Sequence, residues 1–254
     1  MGLTDSTEFV IEINNDHCSL CSICSSTCPF EALSADREKK EIKLDIEKCQ
    51  VCGVCYSACP AGAIESVYYD LDALFRYITS QRQEVDSKEL VLTCRGSLTE
   101  PGHISEITET ASFIPLYLPC VGRVPVEFYL KALSLGIERI IVIPCQQDLC
   151  HFKDGSSIGA RRLNLLHPLL DQLGYDAKTI KIETYKTVAH VDDDKCVSCL
   201  TCVRVCQKYK APYINQAGVA EIDAAKCTGC GVCLGECPAG AIQYSLVKEA
   251  VADE

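Results

Sequence analysis

The chain of 254 residues contains 20 cysteines, and most of them follow one regular spacing. Sixteen form four copies of the pattern Cys-x2-Cys-x2-Cys-x3-Cys. Three thiolates two residues apart can hold three corners of a [4Fe–4S] cluster from a single loop. The four copies are Cys18, Cys21, Cys24 and Cys28; Cys49, Cys52, Cys55 and Cys59; Cys196, Cys199, Cys202 and Cys206; and Cys227, Cys230, Cys233 and Cys237.

The four copies form a repeat within a repeat. The second copy follows the first by 31 residues, and the fourth follows the third by the same interval. All eight C-terminal cysteines lie 178 residues after their N-terminal counterparts. The sequence Cys-Pro-Ala-Gly-Ala-Ile also occurs twice, at residues 59–64 and 237–242. This self-similarity indicates two copies of one module, each with two motifs.

The spacing resembles that of bacterial ferredoxins, and the resemblance implies an α+β ferredoxin module at each end of the chain. In that family the fourth cysteine of each motif ligates the other cluster of the pair. The implied ligand sets are Cys18, Cys21, Cys24 with Cys59; Cys49, Cys52, Cys55 with Cys28; Cys196, Cys199, Cys202 with Cys237; and Cys227, Cys230, Cys233 with Cys206.

Structural zinc and disulfides are the alternatives for these motifs. Zinc sites usually take two separated pairs of ligands, so this spacing supplies more thiols than zinc needs. One copy departs from the others, because Gln207 replaces the proline that follows the fourth cysteine elsewhere. Glutamine restores a backbone N–H there, which predicts different hydrogen bonding at the cluster that Cys206 holds.

The middle of the chain has the pattern of a small parallel α/β domain. Apolar runs predict strands, and helical spacing after Asp70 and Pro125 predicts helices between them. The predicted strands are Glu89–Cys94, Ser112–Cys120, Glu138–Ile143 and Lys178–Tyr185. The predicted helices begin after Asp70 and end before Gln81, run from Val126 to Leu135, and run from Ser156 to Leu173.

The four remaining cysteines lie where such a domain builds sites. The carboxyl ends of three predicted strands carry Cys94, Cys120 and Cys145, and Cys150 lies in the loop after the third of these strands. The carboxyl ends of parallel strands share one edge of a sheet, so the four thiols are expected to converge there. Four thiolates suit zinc, a [2Fe–2S] or a [4Fe–4S] centre, and a redox-active dithiol is a further alternative.

Three stretches of this middle region resemble the delta subunit of methyl-viologen-reducing hydrogenase. They are residues 118–127, residues 142–152 and residues 159–163, within a region of similarity from about 90 to 190. The resemblance implies a [2Fe–2S] centre at Cys94, Cys120, Cys145 and Cys150. That family commonly has more than one cysteine in its first segment, whereas Cys94 stands alone here.

Three polar residues in these stretches invite a catalytic interpretation, with His151 as a proton donor beside a thiol. The structural alternative is that Arg161 and Arg162 offset a cluster's charge or pair across an interface, and that His151 hydrogen-bonds near the sulfurs. We expect the structural roles, because the sequence has no nucleophile with an obvious base. It also has no dinucleotide-binding Gly-x-Gly-x-x-Gly and no phosphate-binding loop.

Charge and hydropathy reduce the number of partner classes and cellular locations that fit this sequence. The net charge of −11 argues against nucleic acid or an anionic membrane surface as a partner. The N-terminal residues lack a basic signal-peptide region, and no apolar run approaches the ~20 residues of a membrane helix. The chain is therefore expected to be cytoplasmic. Cysteines in such a reducing compartment are expected to bind metal rather than to form disulfides.

These patterns together predict an electron-transfer subunit with no catalytic residues. The predicted domains are a ferredoxin module at residues 1–67, a delta-subunit-like domain at 68–188 and a ferredoxin module at 189–254. The predicted cofactors are four [4Fe–4S] clusters and one [2Fe–2S] cluster, with zinc as the alternative at the central site. An enzyme that uses the central thiols on a disulfide substrate is the alternative function.

The resemblances imply an anaerobic, electron-bifurcating complex as the setting. The implied partners are a flavoprotein like the A subunit of heterodisulfide reductase and a catalytic oxidoreductase. The candidates for the oxidoreductase are a hydrogenase, a formate dehydrogenase and a benzoyl-CoA reductase, and soluble ferredoxin is a further candidate partner. Bifurcation is not expected in this chain itself, because the sequence shows no flavin site.

Overall fold

The computed structural model describes residues 11–66, 69–95, 104–108, 112–146, 150–176 and 178–248. The chain divides into two compact units between Glu183 and Thr184. The first unit holds the two N-terminal motifs and the central sheet, and the second holds the two C-terminal motifs. Across the described ranges, no helix combines the length and apolarity that crossing a membrane requires.

The N-terminal part of the first unit consists of two interlocked halves. Strand β1 (Ile11–Ile13) pairs antiparallel with β4 (Ile64–Ser66), so the start of the first half lies beside the end of the second. Strands β2 (Leu33–Asp36) and β3 (Glu41–Leu44) form a hairpin between them. The short helices α1 and α2 each contain the third cysteine of a motif; they span Ile23–Thr27 and Val54–Ala58.

The central part of the first unit is a four-stranded parallel sheet in the order β6-β5-β7-β8. Its strands are β5 (Glu89–Cys94), β6 (Ile114–Leu118), β7 (Arg139–Ile143) and β8 (Ile180–Ile182). Every residue of β5 is buried, as expected for a strand with helices on both faces of its sheet. The sheet confirms the prediction of a parallel α/β domain.

Helices of the central part cover this sheet. Helix α3 (Leu71–Val85) is capped at its N-terminus by Asp70, whose carboxylate accepts a 2.7 Å hydrogen bond from the N–H of Ala73. The other three are α4 (Ile104–Ile107), α5 (Val126–Ser134) and α6 (Gly155–Gln172). The rings of Phe75 and Phe128 stack at 5.3 Å between α3 and α5.

The second unit repeats the layout of the N-terminal module. Strand β9 (Tyr185–Val191) pairs antiparallel with β12 (Ile242–Lys248) over seven residues. Strands β10 (Pro212–Ile214) and β11 (Ala220–Ile222) form a hairpin. Two short helices carry the third cysteines; they are α7 (Thr201–Val205) and α8 (Val232–Gly235).

Two predicted elements of the central part need correction, and one helix was not predicted. The single strand predicted at Lys178–Tyr185 is interrupted, because β8 ends at Ile182 and Tyr185 starts β9, which pairs with β12 in the second unit. Helix α3 continues past Gln81 to Val85, since its polar end is held by a bond from Arg82 to the carbonyl of Leu135. Helix α4 was not predicted.

The predicted boundary at 188/189 falls within β9, and the division into three domains stays a prediction.

Candidate metal centres

Each of the four motifs folds into a loop whose second cysteine is flanked by residues with positive φ. These flanking pairs are Leu20 and Ser22, Val51 and Gly53, Ser198 and Leu200, and Gly229 and Gly231. Most are not glycine, and a residue with a side chain in this region costs about 1–3 kcal/mol and persists only where the surroundings impose it. Left-handed residues next to ordinary ones turn successive N–H groups to one side, which makes a concave loop suited to an anionic centre.

Four cavities lie inside these loops, and each is lined by four cysteines from two motifs. Each contains about 310–350 Å³ of space without protein atoms, including the part that is open to solvent. The four linings include Cys18, Cys21, Cys24 and Cys59; Cys28, Cys49, Cys52 and Cys55; Cys196, Cys199, Cys202 and Cys237; and Cys206, Cys227, Cys230 and Cys233. The structure thus gathers the same crossed sets that the ferredoxin resemblance implies, and ligation by these sets stays a prediction.

Strand pairing explains why the sets cross. Strand β1 precedes the first motif and β4 follows Cys59, so their antiparallel pairing brings Cys59 to the loop of the first motif. In the second unit, β9 and β12 place Cys237 beside the loop of Cys196 in the same way. The backbone therefore fixes which cysteines share a cavity.

Burial opposes ionisation of the cavity thiols in the metal-free chain. It raises the pKa of Cys52 to about 11, of Cys55 to about 12 and of Cys233 to about 11. Metals bind the thiolate, so loading these cavities must release protons and supply the positive charge that stabilises the sulfurs.

The cavity that Cys206 lines differs from the other three in its fourth-cysteine loop. Elsewhere an alanine N–H four residues on donates to the cysteine sulfur, at 3.4 Å for Cys28, 3.3 Å for Cys59 and 3.4 Å for Cys237. The loop after Cys206 is one residue longer, and the N–H of Lys210 donates to the carbonyl of Cys206 at 2.9 Å. Without a following proline, Cys206 has a ψ of 55°, against 112° and 111° at Cys28 and Cys59.

The central cysteines lie at the carboxyl edge of the parallel sheet. Cys94 is the last residue of β5, Cys120 and Cys145 follow β6 and β7, and Cys150 precedes α6. The thiol of Cys94 lies within hydrogen-bonding reach of both Cys120 and Cys145. Cys94 and Cys120 are each 1% exposed, so neither is open to a dissolved substrate. The predicted convergence at one sheet edge is therefore observed for these three thiols.

Cys150 lies near Cys120 at the start of α6. A side chain at Gly155 would overlap the sulfur of Cys120 and would lie 3.9 Å from the sulfur of Cys150. The hydroxyl of the buried Ser156 donates to Cys150 Sγ at 3.4 Å. Glycine at position 155 is thus required by the close approach of the helix to the sulfur of Cys120.

Hydrogen bonds and charge surround the central sulfurs. The N–H of Val121 donates to Cys94 Sγ at 3.2 Å, and the N–H of Gly122 donates to Cys120 Sγ at 3.3 Å. Hydrogen bonding to Cys120 and Cys145 raises the pKa of Cys94, whereas the hydrogen bond from Cys94 lowers the pKa of Cys120. Four sulfurs with amide and hydroxyl donors fit a thiolate-held metal centre. In the described ranges no three Cys, His, Asp or Glu side chains are gathered around a single-ion position.

The three polar residues singled out in the sequence have different positions. Arg162 reaches the N-terminal module, where it donates to Ser57 Oγ, and it also donates to the carbonyl of Gly122 at 2.6 Å. It therefore links the N-terminal and central parts of the first unit, and the roles predicted for Arg161 and Arg162 stay predictions. Arg161 is exposed, and the exposed ring of His151 contacts Phe152 rather than the sulfurs.

Sequence reasoning missed Arg123, which is the most buried charged side chain near the sites. It is 3% exposed and follows Cys120 by three residues. A lone arginine in the apolar stretch Pro119–Val126 was the available signal. Its packing against Gly53 of the N-terminal module depends on tertiary contact, which spacing alone does not reveal.

Comparison with known proteins identifies three segments. Residues 99–200 match the family described as methyl-viologen-reducing hydrogenase, delta subunit. Residues 13–63 and 189–244 match families described as 4Fe-4S dicluster domains. The match to the hydrogenase family contains Cys120, Cys145 and Cys150 and begins just after Cys94.

Several curated proteins share part of this chain. The iron-sulfur D subunit of the F420-non-reducing hydrogenase of Archaeoglobus profundus is 41% identical over 66 residues, which are 26% of this chain and 48% of that protein. The corresponding vhu iron-sulfur protein of Methanopyrus kandleri is 32% identical over 65 residues, 26% of this chain and 49% of that protein. The chain thus spans about half the length of these relatives.

A third relative is much larger than the shared segment. It is the A subunit of the ferredoxin/F(420)H(2)-dependent CoB-CoM heterodisulfide reductase of Methanosarcina acetivorans, which is 32% identical over 62 residues. These residues are 24% of this chain and 8% of that protein. The chain therefore carries a domain of the hydrogenase delta family between two 4Fe–4S dicluster domains, and its relatives bear names of hydrogenase and heterodisulfide reductase subunits.

Proposed function

We propose that this chain is an iron–sulfur electron-transfer subunit that holds four [4Fe–4S] clusters and one central [2Fe–2S] cluster. The observation that carries the proposal is the set of four cavities, each lined by four cysteines from two interlocked motifs. With every ligand supplied by cysteine, each centre is saturated by protein and suits electron transfer rather than substrate binding. The proposed domains are the two ferredoxin modules at 1–67 and 189–254 and the central domain at 68–188.

The protein residues around the central site shield it and fix its sulfurs. Cys94, Cys120, Cys145 and Cys150 would hold the [2Fe–2S] centre, which supplies a one-electron carrier when bound. The N–H groups of Val121 and Gly122 and the hydroxyl of Ser156 donate to these sulfurs and stabilise their negative charge. Burial of the sheet edge excludes water from the centre, which lowers the reorganisation that electron transfer requires.

The central assignment predicts a selective loss of iron in the variant Cys150→Ala. We expect two irons per chain to be lost, together with the [2Fe–2S] signal in electron paramagnetic resonance (EPR), while the four [4Fe–4S] clusters remain. Iron and zinc content per chain, measured on anaerobically purified protein, checks this. His151→Ala is the matched control, because the neighbouring His151 is exposed and should leave the metal content unchanged.

Either of two other results would contradict the [2Fe–2S] assignment of the central site and support a different one. Sixteen irons and one zinc in the unmodified protein would indicate a zinc-bound central site. Unchanged iron in Cys150→Ala, with turnover of a disulfide substrate by the isolated chain, would support the thiol enzyme.

We also propose partners for this protein. Its relatives are named as subunits of a hydrogenase and of a heterodisulfide reductase, which supports a relay between a heterodisulfide reductase A-like flavoprotein and a catalytic oxidoreductase. The oxidoreductase is proposed to be of the hydrogenase, formate dehydrogenase or benzoyl-CoA reductase type, with soluble ferredoxin as a further electron carrier. The proposed setting is an anaerobic bifurcating complex in the cytoplasm, where thiols stay reduced.

Purification from the native host under anaerobic conditions tests the partners. We expect a large flavoprotein and a catalytic oxidoreductase to co-elute with the chain and to be identified by mass spectrometry. A chain that elutes alone under the same conditions, with its clusters intact, would contradict its assignment to a larger complex.

A further inference from the structure

Two of the proposed centres share a wall inside the first unit. Cys52 and Val54, from the N-terminal module, pack with Cys120 and Phe152 of the central part in one buried apolar cluster. Phe30, which lines the cavity of Cys52, meets Phe152 edge-to-face at 6.3 Å. The second N-terminal cavity and the central site are therefore separated by packed side chains rather than by solvent.

Arg123 lies at this wall. Its Nη2 donates to Ser66 Oγ at 2.7 Å, and its guanidinium carbon lies 5.1 Å from the centre of the Tyr69 ring. A Cβ atom built on Gly53 would lie 3.0 Å from that carbon, which places the guanidinium against the residue that follows Cys52. Arg123 also ends the turn Val121–Arg123 that follows Cys120. One buried cation thus contacts or adjoins a ligand loop of each centre.

Glycine at position 53 fits this contact. In the other N-terminal motif the equivalent position is Ser22, which keeps a side chain despite a φ of 61°. Gly53 has a φ of 79°, and the place where a side chain would lie is taken by Arg123. The second motif is therefore shaped to receive the guanidinium, whereas the first motif carries an ordinary side chain.

A buried charge must be stabilised by its surroundings, because removing it from water is expensive. Burial lowers the pKa of Arg123, and Tyr69, Cys52 and Cys120 act in the opposite direction. Arginine stays protonated in proteins, so its charge is fixed across the accessible pH range. Thiolate-held iron–sulfur centres are anionic and become more so on reduction, and a positive charge in a low-dielectric wall favours the reduced state.

We propose that Arg123 is a shared counter-charge that holds up the reduction potentials of both the centre bound by Cys52 and the centre bound by Cys120. This inference rests on the proposed function, since it requires iron–sulfur centres in both sites. Arg123 is a positioning residue in this role, because it acts through the field at the sulfurs and ligates no metal. Electrons that pass between the N-terminal module and the central site would cross the wall that Arg123 lines.

The test is an EPR-monitored redox titration of the full-length, cluster-loaded protein. Arg123→Gln should lower the midpoint potentials of the two centres that adjoin it. Wild-type potentials are expected for both clusters of the second unit. They are also expected for the N-terminal cluster that does not adjoin Arg123, whose proposed ligands are Cys18, Cys21, Cys24 and Cys59. Arg123→Lys, which keeps the charge, should shift the same two signals less than Arg123→Gln does.

Arg82→Gln is the matched control, because Arg82 is a partly buried arginine that binds the carbonyl of Leu135 and adjoins no proposed ligand. It should leave all five potentials unchanged. If Arg123→Gln fails to retain iron, Ser66→Ala decides the matter, since it removes a hydroxyl that fixes the guanidinium in place and so lets the charge move relative to the two sites. A shift confined to the same two signals is then expected.

Unchanged potentials in Arg123→Gln, or an equal shift of all five, would overturn the proposal. Unchanged potentials in Ser66→Ala would overturn it if Arg123→Gln cannot be loaded. Wild-type protein without a redox-active central centre would instead overturn the proposed function. The two failures are distinguishable, because the first is a difference between variant and wild type and the second is a property of the wild type.

Discussion

The double variant Cys18→Ala/Cys59→Ala is expected to lose or degrade one [4Fe–4S] cluster, whereas Cys18→Ala/Cys28→Ala is expected to lose or degrade two. Cys18 and Cys59 line the same cavity although they belong to different motifs. Cys18 and Cys28 belong to one motif but line different cavities. Two substitutions in one set cost one cluster, and two substitutions in different sets cost two.

The measurement is iron and sulfide per chain, combined with EPR and Mössbauer spectra that count the altered clusters. The single variant Cys18→Ala serves as the control, with one cluster affected. The second unit offers an independent pair of variants, Cys196→Ala/Cys237→Ala against Cys196→Ala/Cys206→Ala. If the two double variants of either module exchanged their results, each motif would hold its own cluster and the crossed assignment would be wrong.

The grouping of cysteines into crossed sets was implied by the ferredoxin resemblance, which itself rests on the regular spacing of the four motifs. A thiolate loop of fixed length dictates its own backbone, and the second cysteine of every motif is flanked by left-handed residues, as Leu20 and Ser22 illustrate. The strands Glu89–Cys94 and Arg139–Ile143 were also predictable, because a buried parallel strand is apolar along its whole length. Strand ends then brought Cys94, Cys120 and Cys145 to one edge.

Features that depend on contacts between distant segments could not be predicted. Arg123 lies against Gly53, 70 residues earlier in the chain, and no periodic pattern links the two positions. Tyr185 leaves the predicted strand because its partner is Lys248, far along the sequence. His151 follows the proposed ligand Cys150 directly, yet it is exposed, since a loop side chain can point either way. Sequence spacing thus predicts candidate ligands more readily than it predicts the residues that pack around them.

Removal of the metal is expected to unfold the second unit while the central parallel sheet stays folded. Among the residues that the structure describes, the apolar cluster at the centre of the second unit has seven buried members, and two of them are the cysteines Cys202 and Cys227. Its sheets have two strands each, and an isolated two-stranded sheet is only marginally stable in water. Most of its interior is therefore cavity lining, and binding free energy from the metal becomes folding free energy.

The central part has a different source of stability. Its four strands and the helices over them enclose a continuous apolar core, in which Leu90, Leu92 and Ile140 are fully buried. That core also contains Cys94 and Cys145, but they lie at its edge, at the ends of β5 and β7. Loss of the proposed central metal would therefore remove ligand bonds from one side of the sheet and should leave the packed sheet in place.

Hydrogen exchange measured by mass spectrometry, before and after anaerobic treatment with an iron chelator, checks this prediction. Amides of β9 and β12 should exchange at rates close to those of an unfolded peptide once the metal is gone. Amides of β5 and β7 should keep most of their protection, and they act as the internal control for the treatment. Equal loss of protection in both regions would show that the chain folds as one metal-dependent body. Retained protection of β9 and β12 would show that hydrogen bonding over the seven paired residues stabilises the second unit without its metal.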